Sequence, residues 1–491
     1  MTKAIIGLEI HGYLETKEKL FCTCKAEHGA KHAKPNTNIC PICTGQPGCK
    51  PMPPNSSAID KAIQIALILG CKINGIKNMR YPSEAKKRCR PLVPFRVSEL
   101  RGESARGTRG PLAWQRKHYS WPDLPKGYQN TLSGPHAIPI GENGKFLGIK
   151  ITECHLEEDP AAWNPQTGEI DYNRSGSPLI EIVTEPDFKN SEEVEEWLKQ
   201  LITNLDYIKA IDKKAGIKSD VNVSIKETNH TRIEIKNVNS ITNIKNSIDI
   251  EIARQEKELP VHQETRRYDA QKQATTKMRS KEEAQDYRFI SDPDLPTIKI
   301  TKARIEKLKK SIPETPKTKL EKLIKKYKVP EKSAGILTKN IDLVEFFEKV
   351  VEKTKNKNLA IRWTTEELLS VLNYNKITLE DTEIKYEHFL ELLELIEKKK
   401  LTELKAKDIL RSWKEKSQSP KNIAKKSATI SNTEEIEKIA KEVIRENSKA
   451  VKDYKAGEEK SINFLIGQVM RLTNKRADYK TAREILVELL K

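Results

Sequence analysis

Glu9 and His11 stand two residues apart in the run Ile6-Gly7-Leu8-Glu9-Ile10-His11, so on a β-strand both project from one side. His155 and Glu157 repeat that spacing just before Glu158 and Asp159, and Glu181 lies among Ile180, Ile182 and Val183. Two further segments alternate in the same way. Asp220 and Asn222 oppose Val221 and Val223, and Arg232, Glu234 and Lys236 oppose Ile233 and Ile235. Carboxylate oxygens with an imidazole suit Mg²⁺ or Mn²⁺, hard ions that also bridge to phosphate oxygens. Such an open sheet face reads as a floor for a polyanionic ligand held through a metal. An antiparallel sheet with one solvated face gives the same alternation, and the pattern alone leaves both readings open. The adjacent carboxylates of Glu157, Glu158 and Asp159 are the harder feature to dismiss, because they repel one another unless a cation neutralises them.

The cysteines suggest a second, closed kind of site. Four of the eight fall into two close pairs, Cys22-Thr23-Cys24 and Cys40-Pro41-Ile42-Cys43, separated by fifteen residues. Four thiolates complete a tetrahedron around Zn²⁺ without further ligands, so the expected role is to fold a loop. Pro35-Asn36-Thr37-Asn38 supplies turn chemistry between the pairs, and His28, His32 and Cys49 are competing ligands.

The elements that must position these groups fall into two kinds, and the fold class expected is α+β. Residues 1–296 read as a β-rich domain with a few helices, ending at the rigid Asp292-Pro293-Asp294-Leu295-Pro296. Residues 297–416 read as a helical domain, Ser417-Gln418-Ser419-Pro420-Lys421 as a linker, and residues 420–491 as a small helical tail domain. In that tail Ile436, Ile439, Ala440, Val443 and Ile444 follow a 3.6-residue spacing. The formal net charge is +19 and its excess lies in the helical half, which points to nucleic acid or another acidic partner. No stretch of eighteen apolar residues occurs and the N-terminus runs straight into a strand, so a cytoplasmic protein without membrane span or signal peptide is expected.

One stretch stands apart. Arg80 to Arg116 carries eight arginines with scattered Gly, Pro and Ser and no hydrophobic period, so a disordered or poorly packed basic insertion is expected, or a local frameshift in the sequence. Neither a G-x-x-x-x-G-K-[ST] loop nor a G-x-S-x-G elbow is present, which excludes a P-loop nucleotide site and an α/β-hydrolase nucleophile.

Longer strings carry a resemblance. They are Ile6–His11, Pro35-Asn36-Thr37-Asn38-Ile39-Cys40-Pro41, Trp121-Pro122-Asp123-Leu124-Pro125-Lys126-Gly127-Tyr128-Gln129, His155-Leu156-Glu157-Glu158-Asp159 and Asp171–Asp187. Glu234-Ile235-Lys236-Asn237-Val238-Asn239-Ser240, Gln263–Arg266, Arg279–Glu282 and Phe464–Arg471 follow in order. Over nearly the whole chain this resembles the GatB/GatE family of tRNA amidotransferase subunits. The resemblance implies ATP-dependent phosphorylation of the side-chain carboxylate of Asp or Glu misacylated on tRNA(Asn) or tRNA(Gln). Ammonia from a glutaminase A subunit then displaces the phosphate, in a heterotrimer with a small C subunit. It also implies His11, Glu157 and Glu181 as Mg²⁺ ligands, with Glu9 and Asp159 the next catalytic candidates. Asn173, Arg174, Asp220, Asn222, Arg232 and Lys236 are candidates to line the ATP or aminoacyl pocket. A GatDE-type E subunit would need an inserted domain for which the chain leaves no room. The remaining alternative is a catalytically silent tRNA-binding scaffold.

Overall fold

The computed structural model describes residues 3–26, 34–75, 112–119, 121–134, 137–280, 288–414, 416–421 and 433–490. The chain divides into two compact units, Met1–Pro313 and Glu314–Lys491. The architecture is a large mixed sheet followed by an all-helical part, the α+β class expected.

The strands of the first unit are β1 (Ala4–Tyr13), β2 (Lys72–Ile73), β3 (Gln115–His118), β4 (Gln129–Thr131), β5 (Gly141–Phe146), β6 (Ile149–Glu158), β7 (Ala162–Trp163) and β8 (Ile170–Asp171). β9 (Pro178–Thr184), β10 (Ile217–Ile225), β11 (Ile233–Asn239), β12 (Glu264–Asp269), β13 (Ala274–Ser280) and β14 (Arg288–Ser291) complete them. The main sheet runs β13-β12-β11-β10-β1-β9-β6-β4-β3-β14, with β5 and β2 branching from β6, while β7 and β8 form a separate hairpin. Among the described strands every pair is antiparallel except β11 with β12.

Side-chain alternation gives the sheet its two faces. Ile6, Leu8 and Ile10 of β1, Ile180 and Ile182 of β9, and Val221, Val223 and Ile225 of β10 all enter one core. Helices α1 (Ser56–Ile68), α2 (Ser191–Tyr207) and α3 (Ile241–Glu258) cover that face, contributing Ala62, Ile63, Leu198, Leu201, Ile244 and Ile248. Each starts on a side-chain cap. Asn55, Asn190 and Ser240 accept hydrogen bonds from the first-turn amides of Ala58, Glu193 and Asn243. The opposite face of β1, β9, β6, β10 and β11 carries the polar residues.

Several boundaries differ from expectation, each for a packing reason. Helix α4 (Lys302–Ser311) belongs to the first unit rather than to the helical half, because Leu308 is buried in the sheet core and Arg304 Nε donates to Asp60 Oδ1 at 2.6 Å. The segment Ser417–Pro420 is not a free linker. Ser417 is buried, its Oγ accepts the Lys385 amide at 2.9 Å and sits 2.8 Å from His388 Nδ1, and Pro420 is buried too. Of the arginine-rich stretch, residues 80–111 lie outside the described residues. Residues 112–116 correct the expectation of poor packing, since Leu112 and Trp114 are buried in the core and Gln115 opens β3. Arg116 reaches Asp292 at 2.9 Å and Asp294 at 2.6 Å, joining that strand to the proline-bounded turn at residues 292–296. In the second unit Ile436, Ala440, Val443, Leu465, Ile466, Val469 and Leu486 form a separate small core.

Asp292 is the anchor of the β3–β14 edge. Its buried carboxylate accepts from Arg116, from Asn130 Nδ2 at 2.6 Å and from the amides of Asp294 and Leu295. Burial alone would raise its pKa, but the bonds from Arg116 and Asn130 outweigh it and hold the carboxyl below the ordinary 3.8. A depressed carboxylate contributes its stability above the unfolded value and loses it as pH falls through the folded one. Asp292→Asn should therefore destabilise the first unit by about 1–3 kcal/mol at neutral pH. In chemical denaturation across pH, the gap to the wild type should close as the pH drops below the ordinary aspartate range; a gap independent of pH would contradict this anchor.

Candidate active site

Three neighbouring strands bring the predicted ligands together. On β1 and β9 His11 pairs with Glu181, and on β9 and β6 Glu181 pairs with His155, so one cross-strand row reads His11-Glu181-His155. Glu157 lies two residues along β6 from His155, on the same face. His11 Nε2 stands 3.6 Å from Glu157 Oε1 and 3.5 Å from Glu181 Oε2, and His155 Nε2 lies 2.8 Å from the same Glu181 oxygen. One ligand atom from each of His11, Glu157 and Glu181 lies within 4.8 Å of the others, a spacing that a divalent ion would fill.

The electrostatics fit a cation position. Burial opposes a proton on His11, but the bond and charge of Glu181, with the charge of Glu157, outweigh it and push its pKa up to about 9. Glu181 works against burial too, and its two histidines hold it well below the usual carboxylate range. Burial and the Glu181 charge push Glu157 upward. Buried Glu157 and half-buried Glu181 thus draw positive charge onto His11, an environment that also suits a divalent ion.

A second triad extends the same floor. Glu9 and Asp220 are partners across β1 and β10, and together with Glu234 of β11 they offer three oxygens within 4.8 Å. Burial, then the Glu181 and Asp220 charges, raise the Glu9 pKa. Lys236 Nζ bridges Asp220 at 2.7 Å and Glu234 at 3.0 Å, and Asp220 also accepts the Asn237 amide at 2.8 Å.

Both triads line one cavity of about 850 Å³. Of the residues expected from sequence, Glu9, His11, Glu157, Asp159, Arg174, Glu181, Asp220 and Lys236 line it. Asn173, Asn222 and Arg232 do not. Asn173 is turned to the cysteine loop, Asn222 lies two residues further along β10 than Asp220, in register with Gly7 and Glu234, and Arg232 stands before β11 begins. Tyr13, Lys117, Tyr119, Trp121, Lys218 and Glu234 line it without having been anticipated. Glu234 and Lys218 had a signal, since each shares the face of an expected neighbour, Lys236 and Asp220. Tyr13 had one too, two residues beyond His11 on β1, whereas Tyr119 and Trp121 had none, because their segment has no strand period.

The run Glu157-Glu158-Asp159 does not pool its charge. Glu158 turns away to Lys126 and to the Asn130 amide at 2.8 Å. Asp159 takes Arg174 Nε at 2.9 Å and the Tyr13 hydroxyl at 2.6 Å. Of the three, Glu157 alone joins the triad with His11.

Cys22, Cys24, Cys40 and Cys43 also converge, their sulfurs all within 4.8 Å of one another. Tetrahedral zinc at about 2.3 Å from each sulfur asks for separations of about 3.8 Å, so the donor set fits. Cys43 Sγ accepts the Cys40 amide at 3.2 Å and lies 3.5 Å from the buried Lys19 Nζ. Sharing with Cys22, against burial and with help from Cys40 and Lys19, holds Cys43 down at about 4, the thiolate form a metal takes. Cys49 is exposed and outside the cluster, and His28 and His32 lie outside the described residues.

Residues 4–84 and 108–306 match the model of the GatB/GatE catalytic domain, the interruption falling within the arginine-rich stretch, and residues 345–490 match the GatB domain. The chain is 40% identical to the B subunit of the aspartyl/glutamyl-tRNA(Asn/Gln) amidotransferase of Methanococcus maripaludis strain C6, over 98% of this chain and 97% of the relative. Proteins of the same name from Methanocaldococcus jannaschii and Methanothermobacter thermautotrophicus are also 40% identical, over 99% and 98% of this chain and 97% and 99% of theirs.

Purified protein should contain one zinc per chain. Replacing both cysteines of either pair by serine should release it, whereas Cys49→Ser should not. Full metal content in a Cys40/Cys43 double variant would refute the four-cysteine site.

Proposed function

The chain belongs to the GatB/GatE family, and on that premise we propose that it is the subunit that activates and amidates misacylated tRNA. The carboxylate of Asp on tRNA(Asn), or Glu on tRNA(Gln), is a poor electrophile, since its charge repels nucleophiles and oxide would have to leave. Phosphorylation by ATP removes both obstacles, and ammonia then displaces phosphate to give the amide. The observation that carries this reading is the convergence of His11, Glu157 and Glu181 from three strands onto the floor of one cavity. Their donor set suits Mg²⁺, which would neutralise the phosphate oxygens during transfer.

The chain's own cations complete the cavity. Lys236 is tied down by Asp220 and Glu234, while Arg174 is oriented by Asp159. Burial pushes the Lys218 ammonium below its usual value. These groups surround the triads with positive charge fixed in direction, which costs no reorganisation when negative charge builds on a transferring phosphoryl group. Glu9 and Asp159 are the further candidates for proton handling and orientation. The lining of the cavity by acids, cations and aromatic rings speaks for a catalytic subunit over a silent tRNA-binding scaffold. The partners implied are a glutaminase A subunit, a C subunit and the tRNA, whose backbone the basic helical unit would meet.

In a reconstituted complex Glu157→Gln, Glu181→Gln and His11→Ala should each abolish ATP-dependent amidation, measured as amidated tRNA and as transfer from γ-labelled ATP. Glutamine hydrolysis by the partner should persist at least in part. Wild-type amidation by a Glu157 or Glu181 variant would take the metal role from that residue.

Removing residues 422–491 should raise the KM for tRNA and flatten its salt dependence, as lost phosphate contacts do. An unchanged KM and salt slope would move the RNA-binding surface elsewhere.

A further inference from the structure

The segment that begins with β8 joins the two sites just described. Its residues 170–176 are bonded almost continuously to the cysteine loop. Asn36 donates its amide to Asp171 Oδ1 at 3.0 Å and its Nδ2 to the Ile170 carbonyl at 2.9 Å, and accepts the Tyr172 amide at 2.7 Å. Asn173 Oδ1 accepts the Asn38 amide at 2.8 Å, and its Nδ2 donates to the Lys34 carbonyl at 2.8 Å. Ser175 Oγ donates to the Cys43 carbonyl at 2.8 Å. Lys19 is the hub. It is 1% exposed, and its Nζ reaches Cys43 Sγ at 3.5 Å, the Asn38 carbonyl at 3.0 Å and the Tyr172 carbonyl at 3.3 Å.

Arg174 points the other way. Its guanidinium donates to the carbonyls of Pro160 at 3.1 Å and Ala161 at 2.8 Å, pairs with Asp159, and lines the cavity. One backbone segment is therefore held by the cysteine loop on one side and presents a cation to the active site on the other. A zinc tetrathiolate carries a net negative charge, and Lys19 is the buried cation placed to balance it.

We propose that the metal loop is a positioning device for the reaction. With Cys22, Cys24, Cys40 and Cys43 metal-bound, Lys19 and Asn173 fix the backbone that aims Arg174 into the cavity. Loss of the metal loosens the backbone that carries Arg174, whose guanidinium keeps its bonds to Asp159, Pro160 and Ala161, and leaves the His11-Glu181-His155 row intact, because that row is held by the register of β1, β9 and β6. Lys19 and Asn173 are positioning residues, and Arg174 is the group that meets the substrate's anion. This rests on the amidation reading for its kinetic consequence but not for its structural one.

The test uses the full chain and its reconstituted complex. Metal removal by chelation should speed amide hydrogen exchange across residues 170–176 while leaving that of residues 9–13 and 180–183 unchanged, and added Zn²⁺ should restore it. Asn173→Ala should keep one zinc per chain yet show the same local exchange, with Asn173→Asp, which still accepts from Asn38, recovering part of the protection. Lys19→Met should weaken zinc binding by about 10–100-fold. In kinetics Asn173→Ala should lower kcat/KM by roughly 10–100-fold, and the Asn173→Ala/Arg174→Ala pair should be no worse than Arg174→Ala alone. Unchanged exchange at residues 170–176 after metal loss, or additive losses in the double variant, would overturn the proposal. If the complex amidates no tRNA, the functional reading fails, while the exchange and metal measurements still decide the coupling.

Discussion

Buried Glu157 and half-buried Glu181 are held beside the imidazole of His11, and the first unit is organised around keeping them there. Like charges this close repel, and both have lost much of the water that would screen them. Only a rigid support can hold such a pair. Here that support is three adjacent antiparallel strands whose ladders set His11 opposite Glu181 and Glu181 opposite His155. The far face of the same strands is apolar and sealed by α1, α2 and α3, so the core fixes the geometry that the polar face exploits.

Charge on the floor is graded outward from that pair. Lys236 locks the triad of Glu9, Asp220 and Glu234, and Arg174 binds Asp159 at the other flank. Glu158, one residue from the centre, is turned to Lys126 by the strand's own alternation and takes no part. Negative charge is thereby concentrated at the two triads, with Lys236 and Arg174 paired to carboxylates beside them.

The cysteine loop meets a different constraint. A loop with few apolar residues cannot build its own core, and the four converging cysteines form a donor set that could hold a metal in its place. Lys19, buried beside Cys43, ties this local centre to the segment bearing Arg174. Through that one lysine and Asn173, the cysteine loop is hydrogen-bonded to the segment whose Arg174 lines the cavity.

Sequence by itself determined the elements and the faces. Alternation with period two placed Glu9, His11, Glu157, Glu181, Asp220 and Lys236 on polar sides, because a strand's pleat leaves each side chain no choice of face once its neighbours are buried. Paired spacing did the same for Cys22, Cys24, Cys40 and Cys43. What only the tertiary structure decided was adjacency. Strand order and register set Glu157 near His11 though they are far apart in the chain, brought Glu234 beside Glu9, and left Asn222 further along β10 and Arg232 just before the start of β11. Asn173 looked like a pocket residue because it neighbours Arg174, yet successive side chains diverge, and the hydrogen bonds of the cysteine loop claimed it. Leu112, Trp114 and Arg116 closed an arginine-rich stretch that seemed unable to pack, because their partners, the sheet core and Asp292, come from remote parts of the chain. Periodicity records which way a side chain faces; what it faces is set by chain folding over distances that no local pattern encodes.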